Sequence, residues 1–405
     1  MPSPHARPLQ IALLAVVVIF GTWLRFPDDK SRERKGADEA AYEFYVTGIE
    51  TTGWLGWPQL IDRYIRDLTE AKNPFLPPPT RWLFLMSASA IHRVTGASPL
   101  ESVRWVAFAS GVGILVLGTT VAWRIGGIGT ALGTGGLVAC SPLLIHMSHR
   151  AMIDGFFAFW TLVSLWGLWE ALRAPQKKMW PVLFACGLAA MVLTKENAAF
   201  VSAAILVTLA SNRWLQFGVV SKSLWIATFA GPLLGAIGLI VCAGGISPLV
   251  TSYQMNVAKS VVLPYAIQTG DGPWHRYLLD FILVSPVVTI LALASIGATD
   301  WKNPAKKYFV CFVAVTYILM CQVRYGMNMR YGAIWEFPFC WFAFTMLAGF
   351  AERIRRFPVS PVLSVLVILV CASELRQYQV LFTGGNVYDP VPGALVQRLK
   401  MWKPH

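Results

Sequence analysis

The apolar positions of this chain fall in long unbroken runs, not in the alternating or one-faced patterns of soluble strands and helices. The first, LQIALLAVVVIFGTWLRF (9–26), marks a span near 8–25. Others lie near 104–124, 129–146, 153–172, 224–244, 278–298, 308–323, 331–350 and 359–376. A helix needs about 20 apolar residues to cross the hydrocarbon core of a bilayer, so these runs predict membrane spans. The first run lacks a small-residue cleavage site and is followed by many of its kind, so it reads as a retained span and not a signal peptide.

The segment 180–211 is too long for one span and short for two, and LTKENAAF interrupts its middle. Charge arbitrates. With two short helices, 180–194 and 198–211, and a cytoplasmic N-terminus, the inner turns collect Arg7, Arg124, Arg173, Lys177, Lys178, Arg213, Lys222, Lys302, Lys306, Lys307, Arg353, Arg355 and Arg356. One kinked span instead would put DWKNPAKK and ERIRR outside, against the positive-inside bias. The prediction is therefore an all-α polytopic membrane protein of about eleven spans, N-terminus inside and C-terminus outside. Each short helix would reach only about 22 Å, and interrupted helices of this kind are tolerated where they line a polar cavity.

In this arrangement the outer face carries a long loop, 26–103, the turn near His146–Met152, the Lys195 tip, a loop over 245–277, the Arg324–Arg330 tip and a short tail, 377–405. Within the long loop, RWLFLMSASAIHRV (81–94) and PQLIDRYIRDLTEA read as helices lying at the membrane interface, too short or too polar to span. Residues 1–376 form one membrane domain; no repeat or low-complexity linker marks another.

Composition agrees: 56% of residues are hydrophobic and 14% charged, against roughly a quarter charged in soluble domains. The net charge of +13 is spent on the inner turns, which argues against a nucleic-acid partner. The seven cysteines sit in or at the ends of apolar runs, form no CxxC pair and suggest no zinc site.

Charged or ionisable residues on the outer side go against the bias and mark candidate chemistry. They are Asp38, Glu39, His149, Arg150, Asp154, Lys195, Glu196, Lys259, His275, Arg276, Arg324 and Arg330. Each also has an ordinary explanation. Asp38 and Asp154 would cap the helices they precede. Lys195 and Glu196 would pair with each other. Arg150, Arg324 and Arg330 would snorkel to lipid phosphates, and His275 would be an interfacial neighbour of Trp274 and Tyr277. Their collection on one side is harder to explain this way. A carboxylate there can take a proton from a hydroxyl or amine, while arginine and lysine hold a phosphate. No nucleotide-binding loop is present. The matching reaction is attack on a carbon whose leaving group is a lipid-linked phosphate.

The order of motifs resembles the C-type (GT-C) integral-membrane glycosyltransferase superfamily, most closely its protein O-mannosyltransferase and aminoarabinose-transferase (ArnT-like) branch, over roughly 8–350. The resemblance rests on ADEAAY after the first span, NPFLPPPTRWLF, RWVAFASGVGILVLGTTVAWRIGG, SPLLIHMSHRAMIDGFFAFW, GLAAMVLTKENAAF, GPWHRYLLDFILVSP and MRYGAIWEFPF. It implies transfer of a sugar from a polyprenyl-phosphate donor, with inversion, at the periplasmic face of a bacterial-type inner membrane. Asp38 would be the catalytic base, Glu39 its support and Asp154 the second acidic site residue. Arg150 and Lys195 would face the donor phosphate or sugar, and His275, Tyr277, Arg330 and Tyr331 would surround the donor. Tyr42, one helical turn after Asp38, would share its face. Some relatives place a lysine directly before the proline run; Lys72 lies several residues upstream of Pro77 and is the candidate here. Some relatives use a divalent metal; this branch looks able to work without one, and none is assigned. Many relatives carry a soluble C-terminal domain that the short tail lacks, so acceptor recognition is expected from the first loop or a partner protein. A non-catalytic membrane subunit of the same fold, and a lipid or solute transporter, remain as alternatives. A transporter would usually show repeated halves, and loss of sugar transfer in Asp38→Asn would separate an enzyme from a subunit.

Overall fold

The computed structural model describes residues 6–27, 35–70, 76–298, 301–323, 326–354, 358–392 and 394–395. Among them the chain is helical throughout, with no strand. The first apolar run is α1 (Ala6–Arg25). The first loop folds into α2 (Ala37–Thr52), α3 (Trp57–Thr69) and α4 (Trp82–Thr95). The next two predicted spans share one helix, α5 (Pro99–Cys140), which doubles back at Gly127. The φ of 80° there is open to glycine at little cost and strained for other residues. A Cβ on Gly135 would sit 2.8 Å from Thr119, and one on Gly21 of α1 would meet Leu115 and Ala139 at 2.6 and 2.8 Å. Positions 119 and 135, and 115 and 139, are equally spaced about Gly127, so the two halves are antiparallel and small residues let three helices close.

The run expected over 129–146 is cut at Ser141, whose hydroxyl accepts the Leu144 N–H and starts α6 (Pro142–His149). Next come α7 (Ile153–Arg173), α8 (Met179–Val192), α9 (Ala198–Leu215) and α10 (Lys222–Cys242). The segment 180–211 is thus two helices. Lys195 at their junction reaches Asp154 at the start of α7. After α9, the Val219 N–H donates to the Leu172 carbonyl at the far end of α7 (2.9 Å). So α8 runs back along α7, and α9 returns.

The expected outer loop at 245–277 instead contains α11 (Ile246–Val262) and α12 (Pro264–Gly270). Its signal was present: Ile246, Val250, Tyr253, Val257 and Val261 recur at helical spacing, and all are exposed. That is the apolar stripe of an interfacial helix. The run at 278–298 breaks at Ser285–Pro286 into α13 (Arg276–Val284) and α14 (Pro286–Gly297). The chain ends with α15 (Pro304–Met320), a 3₁₀ turn (Met329–Trp335), α16 (Glu336–Arg353) and α17 (Val359–Tyr378).

Seven helical segments among the described residues are long and apolar enough to cross a membrane, and the chain is a polytopic membrane protein. The eleven spans of the sequence reading also include α8, the α13–α14 pair and α15, and take α5 as two crossings. The helices define two ends. The loop end gathers α2, α4, the start of α7, the 193–197 junction and the 3₁₀ turn. The opposite, basic end carries Lys177, Lys178, Arg213, Lys222, Lys302 and Arg353, all exposed. A core of Tyr42, Tyr45, Phe84 and Leu85 with Ala151, Ile153 and Phe156 seats α2 and α4 on the start of α7. The large apolar side chains among them, such as Phe84 and Leu85, contribute about 1.5–3 kcal/mol each.

Candidate active site

The site lies at the loop end. Its first element is the start of α2. Gly36 precedes that helix, and Asp38 does not cap it; Glu39 does, its Oε2 accepting the Gly36 N–H at 2.8 Å. Glu39 is fully buried. Its Oε1 accepts from Arg104 Nε (3.2 Å) and the Ala151 N–H (3.1 Å), and Arg150 lies 3.6 Å from Oε2. Glu39 therefore pins the start of α2 to α5 and to the turn before α7. Arg150 does not snorkel: it is buried between Glu39 and the Tyr388 ring, 5.1 Å from the ring centroid.

With Glu39 turned inward, its neighbour Asp38 turns toward the site. Arg330 Nη1 donates to Asp38 Oδ2 at 2.5 Å, across 292 residues of sequence. Burial pushes the Asp38 carboxyl up, but Arg330 and then Arg81 outweigh it and hold it below the ordinary aspartate value. Asp154, in the first turn of α7, follows Met152 and is likewise not the cap. Lys195 donates to its Oδ1, and Arg330 Nε lies 3.9 Å from its Oδ2. Lys195 thus pairs with Asp154, not with Glu196, and its ammonium sits 3.7 Å above the centre of the Tyr331 ring. Tyr42 is buried, and its hydroxyl oxygen accepts from Arg81 Nη1, which leaves its own proton free to donate.

The structure thus brings together Asp38, Glu39, Tyr42, Arg150, Asp154, Lys195, Arg330 and Tyr331. It sets two predicted residues apart. Tyr277 is a core residue, packed edge-on to Trp335 at 5.2 Å, with its hydroxyl donating to the Gly326 carbonyl at 3.2 Å. His275 begins α13 beside the Trp274 ring, 5.4 Å away, as an interfacial residue would. Lys72 and Arg324 lie outside the described residues.

Four participants escaped the sequence reading as site residues. Arg81 begins α4 and faces Tyr42, Asp38 and Glu196. Arg104 holds Glu39; as a cation at the outer start of a span it goes against the positive-inside bias, which is a usable signal. Asp389 and Tyr388 come from the tail, where VYDP carries no periodic signal. Asp389 Oδ1 lies 2.9 Å from Arg330 Nε and accepts from Asn328 Nδ2 at 3.1 Å. Burial, then Asp38 and Asp154, push its carboxyl up to about 8.

The arginines are incompletely satisfied. Despite its closeness to Asp389, the buried Arg330 Nε–H has no aligned acceptor among the described residues, and neither has that of Arg81. A buried guanidinium donor without an acceptor is costly, and a tetrahedral anion with several oxygens is the group that would satisfy both. Three cations, Arg81, Lys195 and Arg330, face Asp38 and Asp154, with Asp389 against Arg330.

Residues 78–243 match the family model described as dolichyl-phosphate-mannose-protein mannosyltransferase. A search of curated proteins found no match. Among solved structures, the chain is similar to ArnT from Cupriavidus metallidurans bound to undecaprenyl phosphate, with a TM-score of 0.52, 14% identity, and coverage of 99% of this chain and 76% of that one. It is also similar to the oligosaccharyltransferase AglB from Archaeoglobus fulgidus in complex with an inhibitory peptide and a dolichol-phosphate. There the TM-score is 0.61 at 13% identity, over 96% of this chain and 57% of that one. The architecture assembled above, spans and loop helices together, is accordingly the GT-C fold of integral-membrane glycosyltransferases.

Proposed function

We propose that the protein transfers a sugar from a polyprenyl-phosphate carrier to an acceptor at the loop end, on the periplasmic face of a bacterial-type inner membrane. One observation carries the reading: carboxylates and cations from five separate stretches of chain meet around Arg330, beside guanidinium N–H groups that lack acceptors. ArnT and AglB were solved with polyprenyl-type phosphates bound, which supports the same carrier class here.

In this reading Asp38 takes the proton from the acceptor hydroxyl or amine as it attacks the anomeric carbon. The bond from that carbon to the phosphate oxygen breaks on the opposite side, with inversion, and the electron pair leaves on the phosphate. Arg330, Lys195 and Arg81 stabilise that departing anion. Tyr42 donates to the sugar or phosphate. Glu39 and Arg150 hold Asp38 in place. The Arg330 contact keeps Asp38 ionised but makes it a weak base. When the phosphate takes a share of Arg330, that hold loosens and the basicity of Asp38 rises. No metal is assigned: Asp38 and Asp389 turn to the Arg330 guanidinium and Asp154 to the Lys195 ammonium, donors that a divalent cation would have to displace. The acceptor, and any partner protein that presents it, would approach over the first loop.

Asp38→Asn tests the reading in membranes supplied with polyprenyl-phosphate sugar. The expected outcome is transfer lowered about 10³-fold in a protein that still folds, its thermal midpoint lowered less than in Glu39→Gln because Asp154 and Asp389 still face Arg330. Retained transfer would favour a non-catalytic subunit of the same fold.

A further inference from the structure

Asp389 lies on a strap of chain that crosses the site. One side of the strap is fixed by Phe382, stacked 4.1 Å from the His146 ring, and the other by the fully buried Leu395. Between them Asn386 takes a left-handed backbone (φ 50°), which asparagine tolerates better than most residues. The Tyr388 carbonyl accepts from His146 Nε2 at 2.8 Å, and the Tyr388 ring fills the space above Gly36. The strap is thereby seated on α6 and on the residue just before Asp38's helix, and it delivers the Asp389 carboxylate to Arg330.

Electrostatics makes this position informative. Arg81, Lys195 and Arg330 are the cations shared by Asp38 and Asp154, and Asp389 brings a third carboxylate. Once Asp389 is ionised, Arg81, Lys195 and Arg330 face Asp38, Asp154 and Asp389, with Glu196 also on Arg81, so no positive charge is left over for an incoming phosphate. One carboxylate has to give way. Asp154 is buried against Lys195 and Asp38 is held by an aligned bond to Arg330. Asp389 approaches Arg330 without aligned geometry, leaving the Nε–H unsatisfied.

We propose that Asp389 is a stand-in for the carrier's phosphate: when ionised, its carboxylate occupies Arg330 in the empty enzyme and yields the guanidinium when the phosphate arrives. The inference rests on the reading of the site as a polyprenyl-phosphate pocket and adds a residue that sets how tightly that pocket holds its carrier. The groups facing Asp389 are Arg330 and Asn328 from the stretch before α16, Asp38 from α2 and Asp154 from α7. Its own strap contributes Tyr388, whose ring covers Arg150. With the Asp389 carboxyl pushed up to about 8, the competitor is protonated and weak below that pH and ionised and strong above it.

The experiment measures binding of a short-chain polyprenyl phosphate, without sugar, to the full chain in nanodiscs between pH 7 and 9. It compares wild type, Asp389→Asn and Asp389→Glu. The phosphate's own ionisation acts on all three alike, so the ratio of affinities isolates the strap. Asp389→Asn is expected to bind about as wild type at pH 7 and roughly tenfold tighter at pH 9, one unit above the carboxyl's midpoint. Asp389→Glu, which keeps the charge, should stay near wild type. A wild type that binds while Asp389→Asn binds no tighter at pH 9 overturns this inference alone. If neither wild type nor Asp389→Asn binds the phosphate at any pH, the carrier-pocket reading falls and takes the inference with it.

Discussion

The two ends of this molecule use the same residue types to opposite effect. At the basic end, Lys177, Lys178, Arg213, Lys222, Lys302 and Arg353 are exposed. The most regular pair there, Arg124 with Glu170, makes two 2.9 Å contacts, but the arginine side chain is 56% exposed. At the loop end, Glu39, Arg104, Arg150, Asp154, Lys195 and Arg330 are all buried and joined to one another across distant stretches of chain. Exposed cations orient a chain in the bilayer through their number and side, and each is replaceable. Buried charges survive only with partners in fixed geometry, so each is specific. Burial, more than charge, separates the topological end from the chemical one.

The comparison can be pressed by substitution. The largest structural effect is expected at Glu39→Gln, which removes a buried carboxylate shared by Arg104 and Arg150. Removing the carboxylate that faces two buried guanidinium groups should cost about 3–5 kcal/mol, read as a clear drop in the thermal midpoint of the detergent-solubilised protein. An unchanged midpoint would mean that water reaches those arginines and that the loop end is no more buried than the basic one. A smaller effect is expected at Gly36→Ala. Its Cβ would lie 1.9 Å from the Tyr388 ring, which must swing away. The cost is about 1–3 kcal/mol, with carrier phosphate binding shifted in the same sense as in Asp389→Asn. Wild-type-like phosphate binding in Gly36→Ala would uncouple the strap from the site. Least affected should be Arg124→Ala at the basic end: the Glu170 carboxylate beneath it is buried but keeps Arg173 nearby, so the cost is about 1 kcal/mol, shrinking with added salt, with no change in sugar transfer. A loss of transfer there would erase the division between the ends.

Legibility in the sequence followed how local each signal is. Apolar runs are written in consecutive residues, so α1, α7, α10, α16 and α17 lie close to where hydropathy places them. The break within 180–211 was readable because LTKENAAF is a contiguous polar insertion and because inner-turn charges sum along the chain. α11 was missed although its stripe recurs at helical spacing, because a window tuned to long apolar runs passes over an interfacial helix. The two acids Asp38 and Asp154 and the cations Arg150, Lys195 and Arg330 were singled out by being charged on the unexpected side.

What the residues alone determined, then, is a helical membrane protein, the side on which its unusual charges gather, and a short roster of candidates. Tertiary structure decided the pairings. Glu39 braces Arg104, Lys195 takes Asp154, Tyr277 withdraws into the core, and a tail with no periodic pattern brings Asp389 to Arg330. The physical reason is range. Hydrophobic length and charge bias act on neighbouring residues and can be read along a line. An ion pair between residues 292 apart forms only after helix packing has brought its partners together and excluded the water that would otherwise screen them.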